Sequence, residues 1–245
     1  MNFSTLPFLA PSAAAAAPTD YANLAGWWDA DYLGYADATA IDNASAKFTD
    51  RSSNANHLIQ ATAANRPQLK TNIINGRSVI RFDGVASPNN DKLLLTSAIS
   101  LNGSFTLIVI GKFTMVAGDL FAIWGNPAGN DKMSRIFTAG SVEQMGSTMG
   151  GGNATSSTLA TVSSSVHMMT LKSNGVTVWY RENKTARGTT THPGVFGITH
   201  MGQGINIGAI MKGDIAEAIA YTAHRSDAEV DNLYDNYLKA KWGLP

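Results

Sequence analysis

GDIAEAIAYTAHRSDAEVDNLYDNYLKAKWG, residues 213–243, joins one strand to one capped helix and a stop. Ile215 to Tyr221 is a short apolar run that reads as a strand. Ser226 takes the N-cap position and Glu229 stands three residues on, the spacing of a capping box. In that motif the serine oxygen accepts from a backbone N–H of the first turn, and the glutamate reaches back to the cap's own N–H. Val230, Leu233, Tyr234, Tyr237 and Leu238 recur at helical spacing, so one stripe is apolar. Asp227, Asp231 and Asp235 lie towards the start and Lys239 and Lys241 at the end, as the helix dipole favours. Gly243 and Pro245 end it. One apolar stripe needs one surface to bury it. The handover from strand to helix is short, Thr222 to Arg225, so the helix is expected across an edge or an end of a β-sandwich.

Upstream of Gly213 the chain reads as short strands between dense turn signals. NGRSVIRFDG places Val79 and Arg81 on one face and Ile80 and Phe82 on the other. KLLLTSAI follows, from Lys92 to Ile99. GSFTLIVIGKF, residues 103–113, is the most apolar run and is apolar on both faces, which predicts a central strand covered on both sides. DLFAIWG (119–125) and SRIFTAG (134–140) pair across a Gly-Asn-Pro loop. VHMMTLKSNGVTVWYREN holds two strands about Asn174-Gly175, a tight-turn signal. The last strand is expected from Gly208 and Ala209 to about Tyr221. Residues 145–165 and 185–206 are polar and glycine-rich and read as long loops, which in compact domains are functional or disordered. Strands spaced about every ten residues indicate an all-β sandwich or jelly roll.

Composition narrows the partners. Hydrophobic residues make up 44% of the 245, enough for a real core, and charged residues only 15%, below the roughly one quarter that is usual. Formal net charge is zero, so little attracts nucleic acid or acidic lipid. Such a surface suits neutral partners such as sugars, or packing against other proteins. The absence of cysteine removes disulfides, thiolate metal sites and cysteine nucleophiles. No apolar run has bilayer-spanning length. The start, MNFSTLPFLAPSAAAAAPTD, carries no Lys or Arg, and Pro7 and Pro11 interrupt its apolar stretch, which argues against a signal peptide. A linker and an assembly arm remain. An Ala- and Pro-rich segment forms no core of its own, and residues 1–20 are read as an arm packing on another subunit through Phe3, Leu6, Phe8 and Leu9, with one domain over 21–245.

Several segments together resemble the concanavalin A-like lectin/glucanase superfamily, in its LamG-like jelly-roll branch. They are GWWDA (Gly26 to Ala30), KFTDRSSNANHLIQ with Asp50, Asn54, Asn56 and Gln60, Arg66-Pro67, and INGRSVIRFDG. The closing pattern of Gly213, Ile215, Ala216, Glu217 and Tyr221, followed by YLKAKWG, completes the set. The resemblance spans residues 26–243. It implies a concanavalin A-like antiparallel β-sandwich with one short C-terminal helix and an extended N-terminal arm. It says little of activity, because one fold hosts many functions. Asp83 is read as accepting backbone N–H bonds in a turn. Glu217 is read as hydrogen-bonded to loop backbone. Of Trp27 and Trp28, which face opposite ways, one should be core.

Enzymatic activity is not expected. Glycoside hydrolysis needs two carboxyl groups across one bond, about 5–5.5 Å apart for retention and about 6.5–9.5 Å for inversion. No Glu-x-Asp-x-Glu strand is present, Asp29 and Asp31 lack acidic and aromatic company, and Asp214 and Glu217 read as facing opposite sides of a strand. The acids of the helix read as cap and solvent face. His57, His167, His192, His200 and His224 show no metal-ligand spacing. There is no Gly-x-Ser-x-Gly elbow and no phosphate loop. Candidates for glycan contact are Trp124, Asn126, Asn130, Asp131, His192 and Phe196. Asp83, Asn89, Asn90 and Asp91 are candidates for calcium, or else a plain surface turn. No other cofactor is implied. LamG-like jelly rolls occur as phage head-decoration, fibre and tail proteins. With the arm, this leads to the expectation of a bacteriophage virion surface protein, in contact with capsid or tail subunits, copies of itself and cell-surface glycans. The alternative is a secreted or cell-surface carbohydrate-binding module.

Overall fold

The computed structural model describes residues 16–85, 90–114, 120–127, 131–137, 143–149, 152–158, 165–191, 194, 196–203 and 211–245. In chain order the strands among them are β1 (Leu24–Asp29), β2 (Leu58–Ile59), β3 (Gln68–Ile74), β4 (Arg77–Asp83), β5 (Leu93–Leu101), β6 (Ser104–Phe113), β7 (Leu120–Asn126) and β8 (Asp131–Phe137). Then come β9 (Glu143–Met149), β10 (Gly152–Thr158), β11 (Val166–Asn174), β12 (Thr177–Glu182), β13 (Thr185–Thr191), β14 (Phe196–Met201) and β15 (Lys212–Tyr221). They form two antiparallel sheets. One runs β13-β12-β11-β6-β15-β4-β3, with β1 also pairing β15, and the other runs β10-β9-β8-β7-β14-β5-β2. The protein is a β-sandwich jelly roll.

Between the sheets lies a core built from alternate residues: Leu107 and Val109 of β6, Ile80 and Phe82 of β4, and Met169 and Leu171 of β11 meet Leu95, Ile99 and Leu101 of β5 and Phe196 and Ile198 of β14. The other face of the first sheet is also covered. Ile108 and Ile110 of β6, Met168 of β11 and Ile219 and Tyr221 of β15 pack against Val230, Leu233, Leu238 and Trp242 of the C-terminal helix. That explains why β6 is apolar on both faces, as its sequence predicts. The helix lies across the face of the sheet, not at an edge or end. Each fully buried Val or Leu there contributes about 1.5–3 kcal/mol.

The helix runs as α1 (Asp227–Leu233), widens to a π turn over Tyr234–Leu238, and finishes as α2 (Lys239–Trp242). The capping box forms: Ser226 Oγ accepts from the Glu229 N–H at 3.2 Å, and Glu229 Oε2 accepts from the Ser226 N–H at 2.7 Å. Gly243 closes it at φ 66°, a left-handed C-cap that glycine adopts without strain. Asp227 is not a plain solvent residue. It pairs with Lys172 and, at 3.1 Å, with Arg181, whose Nη2 also reaches Asp231 at 2.7 Å. Both cations rise from the sheet and are almost fully buried, so they fasten the start of the helix.

Two regions read as loops contain strands instead. Residues 145–165 hold the end of β9, all of β10 and the first turn towards β11, and 185–206 hold β13 and β14. β14 is interior, between β7 and β5, and buries Phe196, Ile198 and Met201. Its glycine and threonine face outward and mask the alternation. The hairpin at Asn174-Gly175 forms as its sequence predicts, with Asn174 Oδ1 accepting from the Val176 and Thr177 N–H groups at 2.9 Å.

Candidate functional site

GWWDA, the strand of Glu217 and YLKAKWG meet in one place, where they act as a bolt rather than a site. Glu217 is fully buried on the outer face of β15. Its Oε1 accepts from Trp27 Nε1 at 2.6 Å and the Tyr237 hydroxyl at 2.8 Å. Its Oε2 accepts from Lys241 Nζ at 2.8 Å and Trp242 Nε1 at 2.7 Å. Lys241 also reaches Asp29 Oδ2 at 2.7 Å, and Arg51 pairs with the same oxygen while lying 3.8 Å over the Trp27 ring. GWWDA, the Glu217 strand and YLKAKWG are thus one network joining β1, β15 and the helix. The expectation of loop-backbone partners for Glu217 is corrected: its four donors are side chains. Burial first, and then the charge of Asp29, push its carboxyl up, against the pull of Lys241. Burial and Glu217 likewise raise the Tyr237 phenol.

A bulge between Ile215 and Glu217 turns both Asp214 and Glu217 outward, where plain alternation would oppose them. They still form no hydrolytic pair, because Asp214 is held bidentately by Arg81 at 2.7 and 2.9 Å. Asp31 accepts from Arg77 and the Ser78 N–H.

Asp50 organises the loop over residues 50–56. Its Oδ1 accepts from the Trp27 and Ser52 N–H groups and its Oδ2 from Ser52 Oγ and the Asn56 N–H, all at 2.8 Å. The loop so fixed lays Asn54 and Asn56 beside β1. Their Nδ2 groups donate to the carbonyls of Leu24 at 2.7 Å and Ala25 at 3.0 Å. Each Asn Oδ1 is left without a hydrogen-bond partner among the described residues. Both line a cleft of about 340 Å³ with Asn23, Leu24, Ser100 and Thr222. Ala98 and Ile99 complete its β5 wall, so no charged residue lines it. It opens where β1, β5 and the end of β15 approach one another. Two preset amide acceptors and hydroxyls on neutral walls are suited to hydrogen-bonding a ligand rich in O–H groups.

The predicted glycan residues are not brought together as expected. Trp124 and Phe196 are fully buried and contribute to the inter-sheet core, Trp124 with its ring 5.2 Å from that of Trp28. They are not surface platforms. A register shift between Ala122 and Trp124 turns Ile123 and Trp124 both inward, a bulge with no local sequence signal. Asn126 is half-buried and pairs with Asp131 across the β7–β8 hairpin. Asn130 and His192 lie outside the described residues, as do Asn89 and the arm anchors Phe3, Leu6, Phe8 and Leu9. Trp27 and Trp28 are both buried, Trp27 under the helix and Trp28 in the core. Among the calcium candidates, Asp83 is exposed and accepts from the Val85 N–H at 2.8 Å, as its turn reading has it. Asn90 and Asp91 are buried, and Asp91 Oδ2 accepts from the Asp83 N–H at 2.8 Å. Burial pushes the Asp91 carboxyl up to about 6. Among the described residues no three His, Asp or Glu side chains converge as for a metal ion. No helix among them is long and apolar enough to cross a membrane.

No family model and no curated protein sequence matches the chain. Solved structures do. Domain 4 of AbnA, a GH43 extracellular arabinanase from Geobacillus stearothermophilus solved with arabinotriose, is similar at 12% identity and TM-score 0.60, over 87% of this chain and 98% of that one. The binding domain of Paraclostridial Mosquitocidal Protein 1 is similar at 13% identity and TM-score 0.59, over 90% of this chain and 53% of that one. The botulinum neurotoxin serotype D binding domain is similar at 9% identity and TM-score 0.57, over 81% and 51%. The chain spans about half the length of the two toxin domains. At such identities the likeness is one of fold: two antiparallel sheets in the β-sandwich arrangement of those domains.

Proposed function

We propose that this is a binding protein without glycosidase activity, whose ligand is a neutral glycan held in the cleft between Asn54, Asn56 and β5. The observation that carries the proposal is the cleft's chemistry, uncharged walls with two amide oxygens fixed by their own nitrogens. Similar structures that include a domain solved with arabinotriose support it at the level of fold. Calcium is not required for this reading. A glycan array probed with the full chain and with Ser100→Arg tests it. The arginine fills the cleft from an exposed position, so at least a tenfold loss of signal is expected while the fold persists. Equal signals, or none from the native chain, overturn it.

We further propose display on a bacteriophage virion, as capsid decoration or a fibre or tail component, with capsid or tail subunits and copies of itself as neighbours. A secreted or cell-surface module is the alternative. One observation favours attachment through the N-terminal side. Ala16 is buried with the helix-side cluster, and the Tyr221 hydroxyl donates to the Pro18 carbonyl at 3.0 Å. The segment leading into the domain therefore sits on the helix-covered sheet. The other sheet's outer face, with Thr96, Ala98 and Ser100 exposed, is turned away from it.

A further inference from the structure

At the far end of the β11–β12 hairpin from its turn lies a cluster that neither the bolt nor the cleft uses. Ser165 stands at the bend that leads into β11, and its side chain meets that of His167 near the start of the strand. Antiparallel pairing sets Met169 opposite Glu182, which brings the end of β12 diagonally against His167. Ser165 Oγ lies 2.8 Å from His167 Nε2, and His167 Nδ1 lies 2.8 Å from Glu182 Oε1. The other carboxylate oxygen, Oε2, is 2.8 Å from Arg187 Nη2. The imidazole and carboxylate are buried, with side chains 5% and 1% exposed, while Ser165 is only half-buried. These four residues, with Gly243 and Pro245, line a cavity of about 400 Å³.

We propose that Ser165 is an activated nucleophile, with His167 its general base and Glu182 the residue that orients the imidazole, acting on short-chain carboxylic esters. This activity goes beyond glycan binding and uses a different cavity. The order of contacts, reachable hydroxyl to imidazole to buried carboxylate, is that of nucleophile, base and orienter in acyl transfer; the imidazole–carboxylate contact is a close ion-pair approach rather than an aligned hydrogen bond. Arg187 fixes the far carboxylate oxygen, so the near one stays turned to the imidazole. Its Nε is a buried N–H without a hydrogen-bond partner among the described residues, available to the oxygen on which negative charge develops. In the step, Ser165 Oγ bonds to the acyl carbon and passes its proton to His167 Nε2. The ester C–O bond breaks, and the leaving alcohol takes that proton. Water, deprotonated by the same imidazole, then releases the acid and restores the serine. Ester and water give acid and alcohol, with no other reactant.

The sequence hid this group because a Ser-x-His at the start of a strand is unremarkable until the hairpin brings Glu182 to it. The test uses the full chain with a fluorophosphonate probe, locating the adduct by peptide mass spectrometry, and p-nitrophenyl acetate hydrolysis. An adduct on Ser165 is expected, absent from Ser165→Ala, with hydrolysis reduced at least about 100-fold in Ser165→Ala and in His167→Gln. Because the adduct is read on the native protein, it does not depend on any variant folding. An unlabelled Ser165 in the native chain, or hydrolysis that survives Ser165→Ala, overturns the proposal.

Discussion

Asp91 is a carboxyl group kept where a carboxylate is poorly tolerated. It is buried, its Oδ2 accepts from the Asp83 N–H, and the Asp83 charge lies near. Its pKa in the folded chain is raised from 3.8 to about 6. The folded state therefore holds the proton more tightly than the unfolded one, and its stabilising effect is complete below pH about 4. It is lost as pH climbs through about 6. Asp91→Asn keeps an acceptor for the Asp83 N–H and removes the charge. Its melting temperature should exceed that of the native chain at pH 7.5, and the two should converge at pH 4, by thermal unfolding across the range. A constant difference at all pH values would show that ionisation is not the cause. Residue-scale chemistry of this kind was only partly legible in the sequence. The turn at Asp83 could be read, since a short acidic side chain two residues before an N–H is a local pattern. The burial of Trp124 could not, because it depends on a bulge that flips one strand's parity.

At the scale of elements, the helix and β6 were legible for the same reason: cap, period and two-faced hydrophobicity are all local. β14 was not, because Gly197 and Thr199 between its buried apolar residues mask the alternation, and β13 was not, because it buries no residue. The cleft was illegible too, since its walls come from residues 23–25, 54–56, 98–100 and 222, which no spacing rule connects. The bolt between helix and sheet was half legible. Its segments were noticed as a set, but their meeting at Glu217 follows from the β1–β15 register. Truncating Glu217 to Ala would strand the donors of Lys241, Trp27, Tyr237 and Trp242. Removing one partner of a buried ion pair costs about 3–5 kcal/mol. Urea unfolding of Glu217→Ala should show an unfolding free energy lower by that amount. A loss below about 1 kcal/mol would mean that water replaces the carboxylate and that the helix is held by its apolar stripe alone.

For the whole molecule, the two faces of the sandwich have different duties. The first sheet is covered by the helix and by the root of the N-terminal segment, and on the second Thr96, Ala98 and Ser100 of β5 are exposed. A chain of residues 21–245 should therefore fold and keep ligand binding in the cleft, while losing assembly if the arm is the attachment. Sedimentation with mass determination on the full chain and on 21–245 checks this. A full-length assembly that falls to monomer on truncation is expected. Two monomers would leave the secreted module as the better reading. Overall architecture was legible because strand count, composition and one well-capped helix all agreed. Function was not, since a jelly roll serves many chemistries through sites its core does not dictate.

β15 has a further consequence, in the order of events at the ribosome. It stands at the middle of its sheet, taking β6 along one edge and sharing the other between β4 and β1. Trp27, near the start of the domain, waits for a partner 190 positions later in Glu217. Until β15 has emerged, β1 lacks its strand partner, and β4 (paired with β3) and β6 (paired with β11) each present one open edge to an empty place between them. The first sheet closes only once residues 212–221 have emerged, whatever its flanking strands have formed before. Such long-range pairing folds slowly, on the order of milliseconds to seconds. Nascent chains stalled before Lys212 should engage holdase chaperones, and those stalled beyond Trp242 should let them go.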